Sequence, residues 1–267
     1  MDFSRTLIAR SGYDREGFSA HYDRFRPRPP QALLDLLCRY SRADRPQLVV
    51  DLGCGTGLST RAWSGAAERA IGIEPNPAML AAAEPARGVE YREAFAAETG
   101  LADGCADIVT CSQSLHWMEP EPTFAEAARI LRPGGVFGAY DYDWPPVVDP
   151  EVDDAFLAYQ GRRRDVRKAR RIQQGADRWA KEQHLGRMRA SGRFRYCSEA
   201  LLHSIEEGDA ERVGGFARSF GLPFADISDE QLERELRIDE LDAVARRVLG
   251  NRTVPFLFGY RVRIGVR

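Results

Sequence analysis

A short apolar run that ends in an acid and three alternate glycines is the feature that most limits how this chain can fold. Leu48-Val49-Val50 is followed by Asp51, and glycine stands at positions 53, 55 and 57. An unbroken apolar run predicts a buried strand, and the glycines predict a sharp turn into a helix. Glycine also removes the Cβ atoms that would keep a ligand away from the backbone. The segment therefore predicts the seat of a cofactor.

Strand and helix patterns alternate from this first strand to about residue 143. A helix is predicted from Leu58 to Arg69, and another from Pro122 to Leu131. The further strands are predicted at residues 70–74, 89–91, 106–111 and 135–140. This alternation predicts an α/β fold with a doubly wound parallel sheet, whose ligands lie at the carboxyl ends of the strands.

The alternation stops after Pro145-Pro146. Two strands, at about 194–205 and 254–266, are predicted among charged helical segments, with two helices expected between residues 206 and 250. We interpret the chain as a single domain, 1–267, in which two closing strands join the same sheet and helical insertions form a cap. Its predicted parts are an N-terminal cap segment at 1–47, a core at 48–145, helical cap insertions at 146–192 and 206–250, and closing strands at 193–205 and 253–267.

Composition excludes several classes of protein. The net charge of −2 gives no general attraction to nucleic acid or to an anionic membrane. Apolar runs are far shorter than the roughly 20 residues of a membrane span, and the N-terminus lacks the apolar core of a signal peptide. The five cysteines form no CxxC pair, and no His, Asp and Glu cluster has metal-ligand spacing. We expect a cytoplasmic protein with reduced thiols and no metal.

The glycine spacing distinguishes between cofactors. A dinucleotide site prefers GxGxxG, whereas these glycines are spaced by two, follow Asp51, and precede a strand that ends in Glu74. Glu74 is placed to accept hydrogen bonds from two ribose hydroxyls. This pattern resembles the class I S-adenosylmethionine (SAM)-dependent methyltransferases, and most of all the small-molecule group that includes the trans-aconitate enzymes. The segments that carry the resemblance are Tyr22-Asp23-Arg24-Phe25-Arg26-Pro27, the glycine motif, residues 72–80, Thr99-Gly100-Leu101, residues 112–117, and Leu131-Arg132-Pro133-Gly134-Gly135.

The resemblance implies a fold, a cofactor and an activity. The fold would be a seven-stranded Rossmann-like sheet with an antiparallel last hairpin. SAM would be the methyl donor and S-adenosyl-L-homocysteine the product, with the methyl group passing by in-line displacement to oxygen, nitrogen or carbon of a small molecule. The cofactor-binding residues implied by position are Asp51, Gly53, Gly55, Gly57, Glu74, Asn76, Met79, Ser112 and Gln113. Many relatives carry an aspartate for the adenine amino group where this chain has Phe95-Ala96, so we expect Phe95 to stack and Glu93 or Glu98 to supply the acceptor.

Several further residues are candidates for the acceptor side. His116 could act as a general base or could line the pocket, and Trp117 could form a wall of the site or pack in the core. Tyr22 and Arg26 belong to a segment that folds over the cofactor in similar proteins; Arg26 could hold a carboxylate or could be part of a turn. Residues 140–144 end a strand, so only alternate members face inward, either Tyr140 and Tyr142 or Asp141 and Asp143. Trp144 completes the set of substrate-binding candidates.

Residues 161–200 hold thirteen Lys or Arg against four acids. Such a run is usually a solvated helical face, and the alternative is an anionic partner, either a small metabolite or nucleic acid. Near-zero net charge counts against RNA. The alternatives to small-molecule methylation are methylation of RNA or protein and a non-catalytic SAM-binding protein; the glycine spacing disfavours an NAD-dependent oxidoreductase.

Overall fold

The computed structural model describes residues 18–170, 179–220 and 229–267, and its central element is a seven-stranded sheet. The strands are β1 Leu48–Leu52, β2 Arg69–Glu74, β3 Val89–Glu93, β4 Ala106–Ser112, β5 Leu131–Tyr142, β6 Tyr196–Gly208 and β7 Val254–Val266. Their order is β3-β2-β1-β4-β5-β7-β6, with parallel pairing from β3 to β5 and an antiparallel pairing of β7 with β5. The predicted α/β sheet with an antiparallel end is confirmed.

Ten α-helices accompany the strands in the described part of the chain. They are α1 Phe18–Phe25, α2 Gln31–Ser41, α3 Leu58–Arg61, α4 Pro77–Ala81, α5 Pro120–Ile130, α6 Pro150–Ala169, α7 His184–Ala190, α8 Ala210–Arg218, α9 Asp229–Leu236 and α10 Ile238–Leu249. The local sequence explains where two of these helices begin. Asn76 and Asp149 cap α4 and α6, each accepting a backbone N–H two residues on, and a proline follows each cap. Proline suits the first helical position because it lacks the N–H that would have no partner there.

The central strands are buried on both faces, as their apolar runs predict. On one face, Phe137 of β5 packs against Phe124 of α5 and Phe194, with ring centroids 5.8 and 5.4 Å away. On the other face, Leu37 of α2 approaches Gly138 so closely that a Cβ atom there would lie 2.8 Å from a leucine methyl group. The sheet is therefore held between helices on both sides.

Four element boundaries differ from the sequence expectations. The helix after the glycine turn ends at Arg61 rather than Arg69, and Gly65, with φ +84°, lies in the turns that follow. Strand β5 begins at Leu131, because that residue already pairs with Ala106. Strand β6 extends to Gly208. Three described helices, not two, lie between residues 206 and 250.

The chain divides into two compact units. The core unit comprises Arg28–Tyr142, Asp177–Leu202 and Tyr260–Arg267, and the helical unit comprises Met1–Pro27, Asp143–Ala176 and His203–Gly259. Within the helical unit, Phe216 packs edge-on against Phe220 and the Tyr159 hydroxyl donates to the Ala217 carbonyl at 2.9 Å. The single cap-and-core arrangement stays a prediction. No helix in the described ranges has both the length and the apolar character needed to cross a bilayer.

Asp107 of β4 connects the start of β1 with Arg132 of β5. Its Oδ2 accepts the backbone N–H groups of Gln47 and Leu48 at 2.7 and 3.1 Å, and its Oδ1 accepts from Arg132 Nε at 2.5 Å. Burial acts to raise the pKa of the Asp107 carboxyl, but Arg132 and the two N–H groups outweigh it and lower the pKa below its ordinary value. The ionised side chain therefore stabilises the native state.

We expect Asp107→Ala to lower the free energy of unfolding at pH 7 by about 1–3 kcal/mol, because two backbone N–H groups lose their acceptor. Urea denaturation measures this. Asp103→Ala is the control, since its side chain is 81% exposed, and the expected loss is below about 1 kcal/mol. Because the folded pKa is depressed, the Asp107 contribution should disappear as the pH falls below about 4. Equal losses in the two variants would contradict this role.

Candidate cofactor-binding and active site

Asp51 is the anchor of the glycine turn. One carboxylate oxygen accepts the hydroxyls of Ser59 and Thr60 at 2.6 and 2.7 Å, and the other accepts the Thr110 hydroxyl of β4 at 2.8 Å. Burial raises the pKa of Asp51, and the three hydroxyls oppose that rise. The side chain thus joins β1, α3 and β4. A direct contact with a cofactor remains a prediction for this residue.

Glu74, at the end of β2, holds the tip of the glycine turn. Its Oε2 accepts the Gly55 N–H at 2.9 Å and its Oε1 accepts the Asn76 N–H at 3.0 Å. Burial raises the pKa of Glu74, the two N–H donors lower it, and the charge of Asp51 raises it further. A carboxylate has about four acceptor positions. The backbone uses two of them, so Glu74 can accept two more hydrogen bonds.

The three glycines share a left-handed backbone but differ in their surroundings. Their φ angles are +67°, +56° and +79° at Gly53, Gly55 and Gly57. A Cβ atom at Gly57 would lie 2.2 Å from the Tyr91 hydroxyl, and one at Gly53 would lie 2.7 Å from Ser114 Cβ. Both positions thus need glycine for packing within the protein as well as for the turn. A Cβ at Gly55 would have Met79 Cε as its close neighbour, at 3.1 Å.

The candidates for the adenine side follow β2 and β3. Asn76 and Met79 are both buried, and the Asn76 side chain accepts the Ala78 N–H at 2.9 Å. Phe95 is 41% exposed, whereas the adjacent Ala96 is buried. An exposed aromatic ring is available to stack on a ligand, as the prediction for Phe95 requires.

Ser112 and Gln113 stand at the carboxyl end of β4. Ser112 pairs with Tyr140 in the sheet, and the Gln113 N–H donates to the Tyr140 carbonyl at 2.9 Å. Gln113 has φ +52°, a left-handed conformation that is uncommon for a residue with a side chain. Its amide nitrogen donates to the Tyr142 carbonyl at 3.2 Å. Both backbone and side chain of Gln113 therefore connect the ends of β4 and β5.

The loop after Gln113 carries His116 and Trp117. It is a short 3₁₀ turn, Leu115–Trp117, and the Ser114 hydroxyl anchors it by donating to the Leu52 carbonyl at 2.7 Å. His116 is buried and its ring lies 5.3 Å from the ring of Trp117. The His116 carbonyl accepts the N–H of Trp179 at 2.9 Å. The loop is thus held at both the β1 end and the Trp179 end.

The candidate residues at the end of β5 lie on opposite faces of the sheet. Tyr140 and Tyr142 are buried on the face that carries Asp51, and burial raises the pKa of Tyr140 well above its ordinary value, so it stays a neutral phenol. Tyr142 packs edge-on against Tyr260, with centroids 5.8 Å apart. Asp141 points to the opposite face. It bonds Lys181 Nζ and an Arg263 guanidinium nitrogen, each at 2.6 Å.

Three candidates lie in the helical unit and are described there alone. The Arg26 guanidinium donates to the Ser219 hydroxyl at 2.8 Å and to its carbonyl at 2.7 Å. It also lies 4.6 Å from the Tyr22 ring centroid. Trp144 stacks on Phe220 at 4.3 Å. The contacts described here are made within this unit, and the roles proposed for these residues toward cofactor or substrate stay predictions.

Several basic residues of the segment at 161–200 form ion pairs within the protein. Arg170 pairs with Glu235, Arg193 pairs with Glu121 at 2.9 Å, and Lys181 pairs with Asp141. Arg171, Asp177 and Arg178 lie outside the described residues. The count of charges in the sequence therefore did not identify these specific ion pairs. Ser114, Lys181 and Arg263 are site neighbours that sequence reasoning did not single out, since no local pattern marks partners so distant along the chain.

Comparisons with known proteins agree with this geometry. Residues 50–139 match the family described as "Methyltransferase domain". A probable S-adenosylmethionine-dependent methyltransferase of Saccharomyces cerevisiae is 31% identical over 57% of this chain and 55% of its own length. Over residues 50–139, the chain is thus similar to SAM-dependent methyltransferases. A malonyl-[acyl-carrier protein] O-methyltransferase of Pectobacterium atrosepticum is 36% identical over 33% of this chain and 36% of its own.

A solved structure shows the same fold. The putative type II methyltransferase of Anaeromyxobacter dehalogenans superposes with a TM-score of 0.67 at 24% identity, over 91% of this chain and 98% of that one. The chain spans about half the length of the first sequence relatives it matches. The family expected from the glycine motif is confirmed, and the individual site residues remain predictions.

The residues of this methyltransferase domain fit SAM. The turn brings backbone without Cβ atoms to the carboxyl edge of β1, and Glu74 keeps two acceptor positions for a pair of hydroxyls such as those of ribose. The carboxylates of Asp51, which is buried, and Glu74, which is partly buried, also favour a positively charged ligand over an anionic one. Among the described residues, no group of His, Cys, Asp and Glu could hold a metal ion.

We expect the affinity for SAM to fall on acidification at a higher pH than an ordinary glutamate would allow. The folded pKa of Glu74 is raised, so a proton competes for the carboxylate earlier, and the logarithm of Kd should rise by about one per pH unit below that pKa. Calorimetric titration from pH 8 to pH 5 measures this.

Glu74→Gln is the matched variant. It should weaken binding by about 1–3 kcal/mol at pH 8 and should lose the Glu74-dependent slope. Glu68→Gln, a change at an exposed carboxylate that precedes β2 and is not among the site candidates, serves as the control for charge removal. Unchanged affinity in Glu74→Gln at pH 8 would exclude the ribose-binding role.

Proposed function

We propose that this chain is a SAM-dependent methyltransferase that acts on a small-molecule acceptor. The observation that carries the proposal is that Glu74 binds the glycine turn and can still accept hydrogen bonds from a ligand. Its carboxylate holds the Gly55 and Asn76 N–H groups and still has capacity for two hydroxyl donors. It stands within the residues that match the methyltransferase family.

Each candidate residue is assigned to one part of the cofactor by its position in the fold. Gly53, Gly55 and Gly57 present the backbone of the turn, Glu74 holds the ribose hydroxyls, and Asn76, Met79, Phe95 and Ala96 border the adenine. Ser112 and Gln113 face the amino-acid end of the cofactor. When bound, SAM supplies an activated methyl group on a positively charged sulfonium.

The acceptor side lies near the ends of β4 and β5. Tyr140 and Tyr142 are aromatic residues there, burial keeps Tyr140 a neutral phenol, and aromatic faces attract a cation. Much of the rate enhancement would come from aligning the acceptor with the methyl group and from excluding water. These two effects suffice for an acceptor that is already an ionised carboxylate, because it has no proton to lose. An acceptor hydroxyl or amine needs a base, and the His116 imidazole is the candidate on the adjacent loop.

Support for a small acceptor comes from relatives and from charge. The Pectobacterium relative is named as a malonyl-[acyl-carrier protein] O-methyltransferase, so transfer to oxygen is the named activity of one similar protein. The net charge of −2 and the pairing of Arg170 and Arg193 of the basic segment with acidic side chains disfavour RNA. An acceptor with a carboxylate, hydroxyl or amine is therefore the proposed class.

Calorimetry with SAM and with NAD tests the cofactor. We expect binding of SAM and none of NAD, because the turn is lined by buried carboxylates and offers no site for a pyrophosphate. Transfer of labelled methyl from SAM is then measured with a small-molecule extract, with RNA and with protein. Labelling of RNA or protein alone would contradict the proposed acceptor class. SAM binding without labelling of any fraction would favour a non-catalytic SAM-binding protein.

We expect His116→Gln to lower kcat on the order of 10²-fold for a hydroxyl or amine acceptor, which is the usual contribution of a general base. The Kd for SAM should stay unchanged. His203→Gln is the matched control, because His203 is exposed on β6. A normal kcat across the pH range, with the labelled product confirmed, would remove His116 from the mechanism.

A further inference from the structure

Lysine is rare in this chain. Two lysines, Lys168 and Lys181, stand against 36 arginines. Lys168 is exposed in the last turn of α6. Among the ion pairs of the described residues, the pair of Lys181 with Asp141 is the one whose cation is a lysine. A chain that otherwise builds its ion pairs from arginine therefore uses an ammonium group at one position beside the candidate site.

Lys181 contacts the ends of two neighbouring strands. Its Nζ lies 2.6 Å from Asp141 Oδ1 on β5 and 2.6 Å from Gln113 Oε1, directly after β4. The other Asp141 oxygen is held by Arg263, whose side chain is 3% exposed. Gln113 is held from its other side by the Tyr142 carbonyl. The ammonium thus completes a set of contacts that orients the Gln113 side chain.

The chemistry of the two cations explains the choice of lysine. An ammonium is a compact point charge with donors in three directions, whereas guanidinium is a planar fork suited to one carboxylate. Here the acceptors are one carboxylate oxygen and one amide oxygen from different strands. A point donor can serve both at 2.6 Å.

Lys181 is also tied to the loop that carries His116. It lies on residues 179–184, which we call the strap. The strap begins with the Trp179 N–H bonded to the His116 carbonyl at 2.9 Å and ends with His184, which is fully buried. The strap therefore contacts the loop twice, at Gln113 and at His116.

We propose that Lys181 is a positioning residue for the cofactor site, acting through Gln113. By bridging Gln113 and Asp141 it holds the Gln113 side chain at the carboxyl edge, where the Gln113 backbone is left-handed, and fixes the loop at residues 113–117. This inference rests on the proposed function, in which Gln113 faces the amino-acid end of SAM. Lys181 itself is not required to touch the cofactor.

A double-mutant cycle tests the coupling. Lys181→Met and Gln113→Leu should each raise the Kd for SAM by about tenfold, from the loss of one charge-assisted contact. The double variant should bind no more weakly than Gln113→Leu alone, because Lys181 acts only through that side chain. Lys168→Met is the matched control and should change nothing in either background. Circular dichroism checks folding, and Lys181→Gln replaces the methionine variant if that one does not fold.

Two results would overturn the proposal. The first is an unchanged Kd in Lys181→Met, which would leave the lysine with a role in docking the strap only. The second is a double variant whose weakening is the product of the two single effects, which would mean that Lys181 acts independently of Gln113.

Amide hydrogen exchange separates this proposal from the proposed function. Without SAM, residues 113–117 should exchange at least threefold faster in Lys181→Met than in Lys168→Met, because the clamp is lost. If the unmodified protein fails to bind SAM, the proposed function is wrong, and the exchange result alone decides whether the clamp exists. Equal exchange in the two variants would overturn the clamp.

Discussion

The buried carboxylate of Asp51 is the interaction on which the rest of this site depends. It is 1% exposed, and three hydroxyls from α3 and β4 satisfy it. A buried carboxylate is tolerated only when its acceptor positions are filled, so the hydroxyls must be present for Asp51 to stand on β1. Their positions in turn define where α3 begins and how β4 lies beside β1. The buried Asp51 side chain thus holds the glycine turn in place beside β4.

Glu74 adds a second carboxylate at a cost to the native state. Its pKa is raised chiefly by burial and further by Asp51, so at neutral pH the ionised form is less stable folded than in the unfolded chain. The ionisation of Glu74 therefore lowers the free energy of unfolding, whereas the ionisation of Asp107, whose pKa is depressed, raises it. A cationic ligand with hydroxyl donors would offset the cost at Glu74. Such unfavourable charge in the ligand-free protein is typical of functional sites.

Sequence reasoning could predict the parts of this structure that are local or periodic. The apolar run at 48–50, the glycine spacing and the alternating strand Val254–Val266 all describe neighbours along the chain, and they predict the strands of the sheet. The antiparallel end of the sheet is expected from the family resemblance. It could not predict partners distant along the chain. Lys181 meets Gln113 from 68 positions away, and Arg263 meets Asp141 from 122. A count of charges over residues 161–200 does not distinguish Lys181 from the other basic residues, because a count or a periodicity does not show which side chains a residue contacts.

The glycine turn also shows why similar sheets bind different cofactors. A dinucleotide places its pyrophosphate at the N-terminus of the helix that follows the first strand, where unpaired N–H groups and the helix dipole attract negative charge. Here α3 has only four residues, and the Gly55 N–H that such an anion would need is already bonded to Glu74. Asp51 and Glu74 then place two negative charges beside the turn. The same backbone geometry that could hold a phosphate is therefore converted by two acids into a seat for a cation with hydroxyl groups. The selection of the cofactor follows from side-chain charge at the strand ends, whereas the fold supplies only the position of the turn.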